Sequence, residues 1–188
     1  VSRRRKVVRR DVVLDHKYFH LELATERDPE GREHTYVYGT GPDIAFAVPL
    51  WPDGTVTLNR QRRFGMAKPS IEVPGGHVDP GETPLVGARR ELREETGLVA
   101  KKMTRLVTCF SSIKVQQRVH LFVAEDLREG PQQLDHDEEI ATIRVPLGDA
   151  VRRARRGWMV HGPSILALYA AQEFARTKRT SSSSGRRR

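Results

Sequence analysis

Glu91, Glu94 and Glu95 lie close together just after a glycine-rich turn, in the stretch GHVDPGETPLVGARRELREETGL from Gly76 to Leu98. Side chains three and four apart are neighbours on a helix, so Glu91 and Glu95 share a face and Glu94 flanks it. Three like charges at that spacing repel unless a cation neutralises them. Carboxylate oxygens are hard ligands suited to Mg²⁺ or Mn²⁺, and Mg²⁺ is commonly held by a few carboxylates together with substrate phosphates. The chemistry suited to these residues is metal-assisted reaction at phosphate. RELREE also reads as a solvated helix face of Arg/Glu pairs, and local spacing leaves both readings open.

The element that must carry these acids is legible at both ends. Thr83 suits an N-cap and Pro84 the first helical position, where a missing N–H costs nothing. Gly97 suits a left-handed stop. Between them Leu85, Ala88 and Leu92 recur at helical spacing, which predicts one buried face beside the carboxylate face.

The segment resembles the signature box of the Nudix hydrolases, G-x5-E-x7-R-E-U-x-E-E-x-G-U with U aliphatic. The matching residues are Gly76, Glu82, Arg90, Glu91, Leu92, Glu94, Glu95, Gly97 and Leu98. The resemblance implies Glu91 and Glu95 as principal metal ligands, with Glu94 bridging or assisting and the Gly75 carbonyl completing the set. It implies Arg90 as the residue orienting the glutamates, and Gly76 and Glu82 beside the substrate. The implied reaction is hydrolysis of a pyrophosphate bond in a nucleoside diphosphate linked to another group. Bound metal neutralises phosphate oxygens and helps generate hydroxide, and a nearby carboxylate takes the proton.

A length of 188 residues suits one core of ordinary domain size with a small accessory sheet. No apolar run approaches a bilayer span, and the basic N-terminus lacks a signal peptide's apolar stretch, so a cytoplasmic enzyme is expected. The only cysteine, Cys109, excludes an internal disulfide and reads as a small buried hydrophobe. The net charge of +9 is concentrated in SRRRKVVRR, in RRARRG from Arg152, and in RTKRTSSSSGRRR. Without an RNA-binding motif, that charge reads as steering of anionic nucleotides rather than specific nucleic-acid binding.

Residues 6–41 contain three short alternating segments separated by turns such as Asp28-Pro29-Glu30-Gly31, which predicts a small antiparallel sheet. IAFAVPL and TVTLNRQ, split by Trp51-Pro52-Asp53-Gly54, read as a buried strand and its hairpin partner. RLVTCF, RVHLFVAED and EIATIRVPL read as further strands. GDAVRRARR reads as a helix stopped by Gly157, and Pro163 opens the apolar helix SILALYAAQEF. The expected fold is an α/β/α sandwich of the Nudix type with a small N-terminal antiparallel sheet. Its expected division is an N-terminal β segment over 1–41, a hydrolase domain over 42–177 and a basic disordered tail over 178–188.

The resemblance reaches over roughly residues 8–175, toward the ADP-ribose pyrophosphatase branch. Its carriers are Arg60-Gln61-Arg62-Arg63-Phe64, Glu72-Val73-Pro74-Gly75-Gly76, and Asp135-His136-Asp137-Glu138-Glu139 before Val145-Pro146-Leu147. By that likeness Arg63 and Glu72 contact the diphosphate or terminal ribose. The acidic loop supplies a further metal ligand or the general base: Glu138 falls at a metal-ligand position and is the first choice as essential carboxylate, with Glu139 and His136 as alternates. Branch members carry a proline and an acid where this chain has Ser112 to Gln117, a departure that points toward another nucleotide sugar such as GDP-mannose. The implied activity is Mg²⁺-dependent cleavage of a nucleoside diphosphate sugar, foremost ADP-ribose to AMP and ribose 5-phosphate. Alternatives are hydrolysis of dinucleoside polyphosphates or RNA ends, and nucleotide sensing without hydrolysis. The N-terminal sheet and the branch likeness imply a homodimer.

Overall fold

The computed structural model describes residues 5–136 and 138–184, without the side chains of 181–184. Asp137 of the acidic loop and residues 185–188 of the expected tail lie outside the described residues. Two compact units divide the chain: one gathers the residues up to Asp43 with Cys109–Arg118, the other Ile44–Thr108 and everything from Val119 on.

The first unit is built on β1 (Lys6–His16), β2 (Phe19–Arg27) and β3 (Glu33–Thr40). Each pairs antiparallel with the next, as the alternating pattern predicts. Asp28 holds the β2–β3 turn: its Oδ1 accepts the N–H groups of Glu30 and Arg32 at 3.1 and 2.9 Å. The first residues of β9 (Val115–Arg128) run parallel to the end of β3, Gly39 opposite Val115. The unit therefore includes a later piece of chain that a boundary at residue 41 omits. Within it Gln117 Nε2 donates to the Pro42 carbonyl at 2.9 Å. Cys109 is half-buried rather than buried.

The second unit surrounds β4 (Ile44–Pro49), which pairs in parallel with β9 from Ile44–Val119 to Pro49–Ala124 and antiparallel with β7 (Gly75–His77). β8 (Val99–Ser112) pairs with β9 on its other side. A strand enclosed on both faces has a continuous apolar sequence, which is why IAFAV does not alternate. Ala45 and Ala47 join Ala88 and Leu92 of α1 (Pro84–Thr96), together with Leu98, Ala100, Phe122 and Ala124, in one core cluster. Phe46 and Val48, buried by the alternation on the opposite face, lie on the side where α3 (Gly162–Ser184) packs against β4. Helices on both faces of the sheet give the expected sandwich. No helix among the described residues is long and apolar enough to cross a membrane.

Two expectations change. TVTLNRQ, β5 (Thr55–Gln61), is not the hairpin partner of β4. After one bridge between Leu50 and Val56 the strands diverge, and β5 pairs instead with β6 (Ser70–Glu72) and β10 (Ile140–Pro146) in a separate three-stranded sheet. β4 is apolar on both faces, whereas β5 alternates Val56 and Leu58 with Thr57, Asn59 and Gln61, a polar face that is buried and bonded to Glu95 and Glu72, so the two strands take different neighbours. Residues 178–184, expected as disordered tail, continue α3. Lys178 Nζ reaches Glu125 Oε1 at 2.5 Å and Arg176 pairs with Glu173, contacts that hold a polar stretch in helix. The helix GDAVRRARR is α2 (Leu147–Ala154), and Gly157 beyond it has φ 79°.

Candidate active site

α1 forms where its caps place it. The Thr83 hydroxyl accepts the Val86 N–H at 3.3 Å, Pro84 begins the helix, and Gly97 ends it at φ 72° with its N–H on the Arg93 carbonyl. With Ala88 and Leu92 buried against the sheet, the next face of the helix carries Glu91 and Glu95 toward β7 and β5. The turn is shaped for them. A Cβ on Gly76 would come within 2.6 Å of Glu91 Oε1, and one on Gly75 within 2.3 Å of the Ala45 carbonyl oxygen. At Gly75, where φ is 150° and the closest neighbour is a backbone atom, only glycine permits this approach; at Gly76 a side chain would push the Glu91 carboxylate aside.

Arg90 gathers the remaining acids. Its Nη1 donates to Glu91 Oε1 at 2.8 Å and Glu94 Oε2 at 3.1 Å, and its Nε to Glu82 Oε1 at 3.1 Å. Nη2 adds the His77 carbonyl at 2.9 Å. Burial opposes the arginine's charge, but Glu82, Glu91 and Glu94 outweigh it and raise its pKa. Glu82 thus meets Arg90 and accepts the Asp79 N–H, and it acts through the arginine. Glu95 lies deeper. Its Oε2 accepts the Gly75 N–H at 2.6 Å and the Asn59 amide at 3.0 Å. Burial, with the charges of Glu91 and Glu138 added, pushes its pKa up to about 8 despite the Gly75 bond. Burial likewise raises Glu91, with Glu94 and Glu138 adding to the shift.

A divalent cation fits this donor set. Two carboxylates, half-buried Glu91 and buried Glu95, are held above their ordinary pKa for want of positive charge, and Asn59 Oδ1 is buried without a hydrogen-bond partner beside Glu95. Among the described residues no three acidic, histidine or cysteine side chains already converge on one point. Arg90 neutralises Glu82, Glu91 and Glu94 from one side and leaves Glu95 to other partners.

The second half of the site comes from the three-stranded sheet. Arg63 forms a two-pronged pair with Glu72, Nε to Oε1 at 3.1 Å and Nη2 to Oε2 at 2.7 Å. Burial works against the Glu72 charge, yet Arg63 holds the carboxyl below its ordinary range. Gln61 Nε2 also donates to Glu72, at 3.0 Å. Asn59 and Gln61 face inward on β5, and Arg63 continues their alternation beyond it.

The segment leading into the acidic loop reaches the backbone carbonyls at the end of α1. The Gln133 N–H donates to the Glu94 carbonyl at 2.9 Å and Gln132 Nε2 to the Glu95 carbonyl, satisfying the end of the helix. A turn between Asp135 and Glu138 follows. Glu138 is half-buried and its charge reaches Glu91, Glu95 and Arg63, whereas Glu139 and His136 are exposed. The Glu139 carbonyl accepts the Arg62 N–H at 3.4 Å.

Sequence reading missed Asn59, Gln132, Gln133, Ser164 and His161. Asn59 had a signal: it lies two before Gln61, on a polar strand face that alternates with apolar Val56 and Leu58. The others are single polar residues in loops or at a helix start, with no spacing to mark them.

An α/β fold that sets its acids on the helix after a glycine turn and braces them with one arginine is that of a pyrophosphate-bond hydrolase. The NUDIX domain model matches residues 41–168, and the chain belongs to the Nudix family. An ADP-ribose pyrophosphatase of Bacillus subtilis (strain 168) is 29% identical over 150 residues, covering 78% of this chain and 81% of the relative. A GDP-mannose pyrophosphatase of Cronobacter sakazakii is 31% identical over 180 residues, covering 87% of this chain and 93% of the relative. The crystal structure of an ADP compounds hydrolase matches with TM-score 0.81 at 22% identity, over 93% of this chain and 95% of that one, a likeness of fold.

Proposed function

We propose that the protein is a divalent-metal-dependent pyrophosphohydrolase of nucleoside diphosphate sugars, acting foremost on ADP-ribose to give AMP and ribose 5-phosphate. The observation that carries this reading is the pairing of two unlike halves: half-buried Glu91 and buried Glu95 on α1, and the Arg63–Glu72 pair, with Glu138 electrostatically linked to both. The first half suits a phosphate with its metal. The second offers a guanidinium and a carboxylate for a sugar phosphate.

Glu91 and Glu95, with Glu94 and the Gly75 carbonyl, would hold Mg²⁺ or Mn²⁺. The bound cation supplies neutralisation of phosphate oxygens and a lower pKa for water. Arg90 keeps Glu91 and Glu94 in place. Glu138 takes the proton of the attacking water on a carboxylate oxygen, ahead of Glu139 and His136. Arg63 and Glu72 orient the distal part of the substrate, and Gly76 leaves room beside Glu91.

A second substrate, GDP-mannose, is favoured by the 31% identity to GDP-mannose pyrophosphatase over most of both chains and by the altered Ser112–Gln117 segment. The same assay separates the two: incubation with a nucleotide-sugar panel and Mg²⁺, followed by identification of the products. The protein further acts as a homodimer through its N-terminal sheet, a reading supported by the exposed apolar side chains of β1.

A further inference from the structure

His161 stands just before α3, outside the signature box and the acidic loop, yet it borders the Arg63–Glu72 pair. Its Nδ1 lies 2.8 Å from Ser164 Oγ and 3.8 Å from Glu72 Oε2. Its ring meets the Phe46 ring edge to face, with centroids 5.2 Å apart. Ser164 is fully buried, and its Oγ accepts the Val73 N–H at 3.0 Å. A serine hydroxyl that already accepts from an amide has its own proton to give, and the histidine nitrogen beside it is the natural acceptor. With Nδ1 accepting, a neutral ring carries its proton on Nε2. Burial favours the neutral ring, and nearby Arg63 adds to that, against the pull of Glu72.

Nε2 has a different environment. The side chain keeps 28% of its exposure, and Nε2 has no hydrogen-bond partner among the described residues and is not buried. One ring nitrogen is therefore fixed by Ser164, and the ring that carries the other stands beside the Glu72 carboxylate, 3.8 Å from Nδ1, where the charges of Glu72 and Arg63 both reach it.

Resting on the proposed nucleotide-sugar activity, we propose that His161 is a substrate-contacting specificity residue whose Nε2–H donates to a sugar hydroxyl or phosphate oxygen held at the Arg63–Glu72 pair. Ser164 is its positioning residue. It ties the ring to the Val73 amide, and so to the Glu72–Gly75 segment on which both halves of the site depend. The donor is neutral and fixed, so it discriminates by the placement of an acceptor rather than by attracting charge. It belongs to the half of the site that binds the sugar, away from the acids on α1.

Three substitutions separate this role from simple packing. A glutamine amide reaches the position of Nε2, an asparagine amide reaches only that of Nδ1, and leucine fills the space without a donor. In steady-state hydrolysis of the preferred nucleotide sugar, His161→Leu and His161→Asn should raise KM about 5- to 10-fold, the scale of one neutral hydrogen bond, with kcat nearly unchanged. His161→Gln should restore most of the affinity. Calorimetric binding of the same nucleotide sugar in EDTA should follow the same order without turnover. Equal KM for all three variants and wild type, or losses that follow melting temperature rather than donor position, would overturn the assignment. A wild-type enzyme inactive on every nucleotide sugar would instead overturn the activity on which it rests.

Discussion

Among the acids of α1, Glu95 is the one buried away from Arg90. Its position is fixed by the Gly75 N–H and the Asn59 amide, while burial beside Glu91 and Glu138 keeps its pKa near 8. A folded pKa above that of the unfolded chain gives stability that is complete below the ordinary carboxyl range and is lost as pH rises through 8. In EDTA, the melting midpoint of the wild type should therefore fall by about 5 °C more than that of Glu95→Gln between about pH 5 and 8.5. Mg²⁺ added at the higher pH should restore the wild type and leave the variant unmoved. Parallel pH curves would show that Glu95 is not held protonated by its surroundings. The box glutamates and Arg90 were legible because their spacing is a helix's spacing. Asn59, Ser164 and His161 were not, because each gains its meaning from a partner distant in sequence, as Ser164 does from Val73.

At the level of elements, α1 and the acidic loop form one device. Gly97 stops the helix at φ 72°, and a Cβ there would stand 2.1 Å from the Gly130 carbonyl oxygen, at the start of the loop that leads to Glu138. Gly97→Ala should cost more than about 1 kcal/mol and also lower kcat roughly tenfold by displacing that loop. Thr83→Ala, at the opposite end of the same helix, should cost about 1 kcal/mol with kcat retained. Equal kcat in the two variants would contradict a coupling between the helix stop and the loop. The caps of α1 could be read directly from Thr83, Pro84 and Gly97. The partner of β5 could not: a short turn suggested β4, whereas the strand hydrogen-bonds along its edges to β6 and β10, which come from distant parts of the sequence. The helix over 178–184 was hidden for a similar reason, since Lys178 gains a partner in Glu125 only once the chain has folded.

Across the whole molecule, the unit that begins the chain has an unfinished edge. β1 is exposed at every position except half-buried Asp11, and Val7, Val12, Val13 and Leu14 all keep close to half of their surface or more. Irregular register at Val7/Arg9 and Val12/Leu14 bends this strand, a common way of blunting an edge against uncontrolled pairing. The apolar side chains remain available to a second copy. Light scattering at micromolar concentration should give the mass of a dimer, and removal of residues 1–41 should give a monomer. A monomeric full-length chain would contradict the proposed assembly. The alternating pattern revealed three strands here, but the inclusion of Cys109–Arg118 in the same unit depends on the parallel pairing of β3 with β9, which no local pattern encodes.

The most direct measurement is product analysis after incubation of the purified protein with ADP-ribose and Mg²⁺, alongside GDP-mannose and with the Glu138→Gln variant as comparison. AMP and ribose 5-phosphate should appear in equal amounts, with none in EDTA, and turnover should be at least ~100-fold lower in the variant, the scale of losing a general base. Tight binding of these nucleotide sugars without cleavage of either, or undiminished turnover by Glu138→Gln, would contradict the proposed function.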